Sequence, residues 1–271
     1  MSSVLPGNTK RNVLGVLVDA VELDEAAELT LDAAREGRPF SVAAFAVHSV
    51  MSAARNAHLR AQVNRLDLVG ADGQPVRWAL NLLHGTRLRR RVYGPELMRV
   101  LCARAAEEQL PIYLYGSSPS TVDALCRQLE VDYPGVVIAG SEPSRFAAIE
   151  DDAQRELAER VRASGARLVF VGLGCPRQEQ FVWAMHGRVG VPMVAVGAAF
   201  DFNAKLAREA PEWMMRAGLQ WLHRLASDPR RLWRRYVVLN PMFAAGVIAQ
   251  ATRTWRPQCA LPAPQAAEIP G

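Results

Sequence analysis

Short apolar runs bounded by glycine or proline alternate, over the first 200 residues, with longer stretches in which apolar positions recur every three or four. The short runs, at 13–18, 40–45, 66–69, 112–115, 136–139, 168–171 and 193–196, read as buried strands. The longer stretches, at 25–36, 75–83, 95–109, 120–132, 151–164 and 176–186, predict helices. From 95 to 196 helix and strand alternate without exception, which predicts an α/β fold with a largely parallel sheet covered by helices on both faces. Ligands of such sheets bind beyond the carboxyl ends of the strands. Those ends carry "GADGQP" (70–75), "GSSPS" (116–120), "GLGCPRQ" (172–178) and "GAAFDF" (197–202). Four glycine-led polar turns on one sheet edge predict one pocket.

Beyond 204 the pattern changes. Residues 210–243 read as helical, with Pro229 and Pro241 as breaks, and hold Trp213, Trp221 and Trp233, half of the six tryptophans. Residues 256–271 contain four prolines and little apolar content beyond alanine, so a disordered tail is expected there. The predicted organisation is an α/β domain over 1–204, a helical Arg/Trp-rich appendage over 205–255, and the tail.

Composition narrows the classes. All but two of the 32 basic residues are arginine, a bias that a GC-rich genome accounts for. Position matters more than the total: seven arginines lie between Arg208 and Arg235 against three acidic residues. The four cysteines have no CxxC or Cys/His spacing, which argues against a disulfide framework or a zinc site and fits a reducing cytosol. Residues 1–12 are polar, so no secretory signal is expected. The run 236–251 is too short, and too broken by Pro241, to span a bilayer.

The turns carry candidate chemistry. Gly172 and Gly174 allow close backbone approach to a ligand, and Pro176 suits a first helical turn, where free amides favour anions. A dinucleotide fingerprint is not met, because Arg177 stands where the third glycine belongs. Asp72 is either the cap of the helix opening at Pro75 or a general base at the ligand edge. "RRRVYGPELM" (89–98) is either a solvated basic loop, with Glu96 complementing a helix dipole, or an arginine grip on phosphate. "YGSSPS" (115–120) is a phosphate-type turn or a capped helix start, and His48, with no partner close by in the sequence, reads as a packed histidine.

Together "ADGQPVRWA" (71–79), "RVYGPELM" (91–98), "YLYGSSP" (113–119), "FVGLGCPRQE" (170–179), "VGAAFDFNA" (196–204) and the segment 210–236 resemble the WecG/TagA/CpsF glycosyltransferases, family 26. The resemblance covers roughly residues 40 to 240. It implies a Rossmann-like, metal-independent and cofactor-free inverting enzyme of bacterial polysaccharide assembly. Such an enzyme moves a sugar from a UDP-sugar to a polyprenyl-diphosphate-linked glycan at the cytoplasmic face of the cell membrane. Asp72 is then the general base. Gln178 lies in the nucleotide-sugar pocket, with Arg91, Gly94, Glu96, Gly116, Ser117, Gly174, Pro176, Arg177, Glu179, Gly197, Phe200 and Asp201 as substrate-binding positions of the same motifs. Arg224 and Arg231 reach over the site toward the diphosphates.

One departure stands out. Where many members carry T-x-N, this chain reads "AFAVHS", with Ala44 and Ala46 at the Thr and Asn positions. The sugar contacts of that pair are absent, His48 is the nearby candidate for a polar role, and an N-acetylmannosaminyl donor does not carry across. The Arg/Trp segment suits a lid over the pocket or a peripheral contact with anionic lipid, since basic residues gain roughly 1 kcal/mol each near such a surface and tryptophan favours the interface. An NAD-binding oxidoreductase and a non-enzymatic membrane-surface protein are the competing readings. No nucleic-acid motif accompanies the basic segment, and a homo-oligomer is compatible with the sequence.

Overall fold

The computed structural model describes residues 9–144, 148–149, 151–259 and 269–270. The chain opens on a hairpin of β1 (Lys10–Val13) and β2 (Val16–Asp19), followed by α1 (Leu23–Glu36), β3 (Phe40–Phe45), α2 (Val47–Arg55) and α3 (Ala57–Val63). Next come β4 (Leu68–Ala71), α4 (Gln74–His84), α5 (Gly94–Glu107), β5 (Ile112–Gly116), α6 (Pro119–Asp132), β6 (Ile138–Glu142) and the short β7 (Ala148–Ile149). The second half holds α7 (Asp151–Ala163), β8 (Leu168–Gly172), α8 (Arg177–Val189), β9 (Pro192–Ala195) and α9 (Ala199–Asn203). A run of helices ends it: α10 (Glu212–Arg216), α11 (Gln220–Ser227), α12 (Pro229–Trp233), a π-helical turn (Arg234–Val238) and α13 (Leu239–Ala251). The short β10 (Ile269–Pro270) pairs with β7.

Six strands form one sheet in the order β4-β3-β9-β8-β5-β6, and every pairing in it is parallel. Side chains alternate between its faces as the pleat requires. Val169 and Val171 of β8 enter one apolar cluster with α2, α3, α8 and α13, while Leu168 and Phe170 enter the other with α1, α5 and α6. Both faces are therefore covered, which is why these strands read as continuous apolar runs.

The expected first strand, 13–18, is instead the hairpin β1–β2, outside the main sheet. Its turn residues Leu14 and Gly15 both have positive φ (56° and 89°), the two-residue geometry that suits the twist of a hairpin. The helices α2 and α3 were not expected from the pattern; Asn56 splits them and caps α3 by accepting from the Leu59 amide at 3.0 Å. Within the stretch expected as an appendage, α13 buries Phe243 and Val247 in the main core, while α10 buries no side chain. The expected tail, 256–271, lies largely outside the described residues.

Candidate active site

The carboxyl edge of the sheet opens into a cleft of about 500 Å³, and all four glycine-led turns contribute to it. Asp72 and Gly73 follow β4, Ser117 and Ser118 follow β5, Gly172 to Cys175 follow β8, and Gly197 to Ala199 follow β9. The fourth wall comes from the C-terminal helices through Gly218, Gln220, Trp221, Arg224, Tyr236 and Asn240.

Asp72 does not cap α4. Gly73 holds the N-cap position and no side chain completes it. The Asp72 amide continues the strand by donating to the Phe45 carbonyl at 3.0 Å, and Oδ1 accepts from the Gly94 amide at 3.4 Å. Burial raises the Asp72 carboxyl above its ordinary 3.8, while Arg91, Arg224 and the Gly94 N–H pull it down. A carboxyl so placed is desolvated yet within electrostatic reach of two cations, a setting in which a carboxylate can accept a proton from a bound hydroxyl.

Arg91 lies over the Tyr93 ring, 4.4 Å from its centroid, and Arg224 over the Phe202 ring at 5.5 Å. These aromatic platforms leave the guanidinium groups beside the cleft. Gln220 of α11 donates from Nε2 to Tyr93 Oη at 2.7 Å, and both residues are buried. Burial and the nearby Glu209 and Asp72 push the Tyr93 hydroxyl upward, so it stays protonated and available as a hydrogen-bonding group.

On the opposite wall Gln178 is buried and fixed at both ends of its amide. Its Oε1 accepts from the Gly174 N–H at 3.1 Å, and its Nε2 donates to Glu179 Oε1 at 3.2 Å. Gly197, at φ 53°, leaves room for it, since a Cβ there would lie 2.9 Å from Gln178 Oε1. Glu179 itself is only 1% exposed and does not line the cleft. Burial pushes its carboxyl up to about 7, against hydrogen bonds from its own amide, Gln178 and the Cys175 thiol.

Of the expected positions, Asp72, Gln178, Arg91, Ser117, Gly174, Gly197, Asp201, His48 and Arg224 line the cleft. The others do not. Gly94 reaches it only through its amide on Asp72, and exposed Glu96 pairs with Arg90 at 2.8 Å. Pro176 and Arg177 are exposed on the outer side of the turn. Gly116 serves the approach of two strands, because a Cβ there would sit 2.8 Å from the Gly172 backbone. The Phe200 ring is buried where a Gly172 side chain would go. Arg231 falls in α12, and its side chain is outside the described set. Ala44 and Ala46 do line the cleft, so its wall beside Asp72 carries methyl groups. Tyr93 was not singled out; Gln220, Trp221, Tyr236 and Asn240 fall in the segment expected as a lid, though none was named as a site residue.

Among the described residues no helix is long and apolar enough to cross a membrane, and no three His, Cys, Asp or Glu side chains converge on a metal-sized site.

The chain is 29% identical over 206 residues to a Bacillus spizizenii protein named N-acetylglucosaminyldiphosphoundecaprenol N-acetyl-beta-D-mannosaminyltransferase, covering 76% of this chain and 77% of that relative. The model of the WecG/TagA/CpsF glycosyl transferase family matches residues 11–257, and the chain belongs to that family of glycosyltransferases.

Proposed function

We propose that this glycosyltransferase moves a sugar from a UDP-sugar, with inversion at the anomeric carbon, onto a hydroxyl of a polyprenyl-diphosphate-linked sugar. The observation that carries the reading is Asp72: a carboxyl lining the cleft, not used as a helix cap, and within electrostatic reach of Arg91 and Arg224, which line the same cleft. The acceptor hydroxyl attacks the anomeric carbon as its proton passes to Asp72. The bond from that carbon to the UDP oxygen breaks on the opposite face, and the electron pair leaves with UDP. Arg91 and Arg224 supply positive charge where the leaving diphosphate gains it, so the proposed step is metal-independent. Positioning of both substrates by the Gln178 wall and the C-terminal wall lowers the entropic part of the barrier.

The relative's name supports an acceptor of the N-acetylglucosaminyl-diphospho-lipid class. The donor sugar is left unassigned because Ala44 and Ala46 present methyl groups to it. The lipid part of such an acceptor stays in a bilayer, so the enzyme works peripherally at the inner face of the cell membrane. Exposed Trp213, Trp233, Val237, Val238 and Met242, interspersed with arginines, supply the apolar and cationic contacts.

The test is UDP release from purified protein given a panel of UDP-sugars and a polyprenyl-diphosphate-linked N-acetylglucosamine. Acceptor-dependent release that Asp72→Asn abolishes supports the reading. Absence of release with every donor, from a folded protein, refutes it.

A further inference from the structure

Glu179 is a carboxyl buried behind the cleft wall, where an apolar side chain would be the ordinary choice. It is 1% exposed; Gln178 donates to Oε1, while buried Oε2 has no partner of good hydrogen-bond geometry among the described residues, the Cys175 thiol and Glu179's own amide lying close enough only to favour the charged form. A buried carboxyl with one oxygen unmet is unfavourable whether it is ionised or protonated. An apolar side chain of similar volume at such a position is often neutral or stabilising. Its retention at a cost points to a role beyond packing. Its side-chain partner on the cleft wall is the Gln178 amide, from whose Nε2 Oε1 accepts at 3.2 Å.

That contact decides which way the Gln178 amide faces. With the Gly174 N–H donating to Oε1 at 3.1 Å, a flipped amide would set two donors against each other at Gly174 and two acceptors against each other at Glu179. Each end of a carboxamide can make one bond more than it makes here, since NH₂ carries two protons and the oxygen two lone pairs. Gln178 therefore offers the cleft a donor and an acceptor side by side in one orientation. The absent Cβ at Gly197 keeps that side open.

We propose that Glu179 is a positioning residue for the donor substrate: sealed behind the cleft wall, it locks the Gln178 amide in the orientation that a nucleotide-sugar recognises, at the expense of fold stability. The inference rests on the UDP-sugar reading above. It adds a role that comes from a residue the substrate never touches.

The test compares wild type with Glu179→Met, Glu179→Leu and Glu179→Gln, using UDP as the probe in calorimetry, thermal unfolding for stability, and donor kinetics. The two apolar variants are expected to melt no lower than wild type. Their UDP dissociation constant and donor KM should rise about tenfold, as for a lost ligand hydrogen bond, with kcat changed far less. Glu179→Gln, which can still accept from Gln178, should recover most of the affinity. Apolar variants that bind UDP like wild type overturn the proposal, as does Glu179→Gln binding no better than Glu179→Met. Failure of both apolar variants to fold, or a drop in their melting temperature, also overturns it, because Glu179 would then be a residue of the fold. Wild type that binds no UDP at all refutes the nucleotide-sugar reading instead, so the two failures are distinguishable.

Discussion

Gln220 and Tyr93 stand 127 residues apart in sequence and share a buried hydrogen bond of 2.7 Å. Tyr93 carries Arg91 on its ring and sits within electrostatic reach of Asp72. Gln220 lies one helical turn before Arg224 on α11, so the two share a face. One bond therefore ties the C-terminal helices to the floor of the cleft and sets Arg224 over it. Tyr93→Phe leaves the Gln220 amide buried without its partner, a loss of about 1–3 kcal/mol. The expected result is faster proteolysis between 205 and 219 and a higher donor KM, with the global melting temperature little changed. Protease resistance equal to wild type would show that the segment is held elsewhere.

Removing the proposed base should separate chemistry from binding. Asp72→Asn keeps the shape and the acceptor for the Gly94 amide but cannot take the proton. Transfer is expected to fall about 10²–10⁴-fold, while the UDP dissociation constant stays within about threefold, since the carboxylate repels rather than grips an anionic ligand. Single-turnover rates and calorimetry on the same preparation decide it. Equal losses in rate and in UDP affinity would make Asp72 a binding residue.

The pH profile tests the charges around that base. Burial raises the Asp72 pKa and Arg91 and Arg224 lower it. The group must be ionised to act, so kcat/KM falls on the acid side as pH drops through its pKa in the free enzyme. Arg224→Ala removes a cation that favours the charged form, so the acid limb is expected to move to higher pH. Arg91→Ala should move it the same way. A limb that stays in place in both variants would mean that another group controls it.

These contacts also mark what could be read from sequence. The sheet was legible because each strand is a short apolar run ended by a glycine turn, and the pocket was legible because those turns share an edge. The hairpin was misread because 13–18 is apolar throughout, and only the positive φ at Leu14 and Gly15 breaks it. Asp72 was ambiguous because cap and base occupy the same place in a strand–turn–helix; the fold removes the cap, since Gly73 holds that position. Glu96 and Arg177 sit in the first turns of cleft helices, where motif position implies contact. Helical phase turns both outward, which sequence spacing alone does not fix until the helix is docked. Nothing local could pair Tyr93 with Gln220.

Gly197 should tolerate no side chain. At φ 53° an alanine sits in the left-handed region at a cost of about 1–2 kcal/mol. Its Cβ would also lie 2.9 Å from Gln178 Oε1 and push the amide off the Gly174 N–H. Gly197→Ala is therefore expected to lower the melting temperature by a few degrees and to weaken UDP binding more than that loss accounts for. A variant destabilised but with unchanged UDP affinity would place the Gln178 amide outside the donor site.

Glu179 makes a separate prediction about stability and pH. Its carboxyl titrates near 7 in the fold and near its ordinary 4.5 when the chain is unfolded. Between those values the native state binds the extra proton, so stability falls as pH rises from about 4.5 to about 7 and then levels off. The difference corresponds to about 3 kcal/mol at full extent. Glu179→Gln cannot titrate and escapes the loss. Urea unfolding at pH 5 and pH 8 should therefore show the variant gaining on wild type as pH rises. A gap that is the same at both values would mean the carboxyl is not held in its low-dielectric site. Ionisation above 7 also makes Oε1 a stronger acceptor for the Gln178 amide. In wild type the same proton loss that weakens the fold thus tightens the grip on Gln178, the residue proposed to face the donor, which is why stability and UDP affinity should part company across neutral pH.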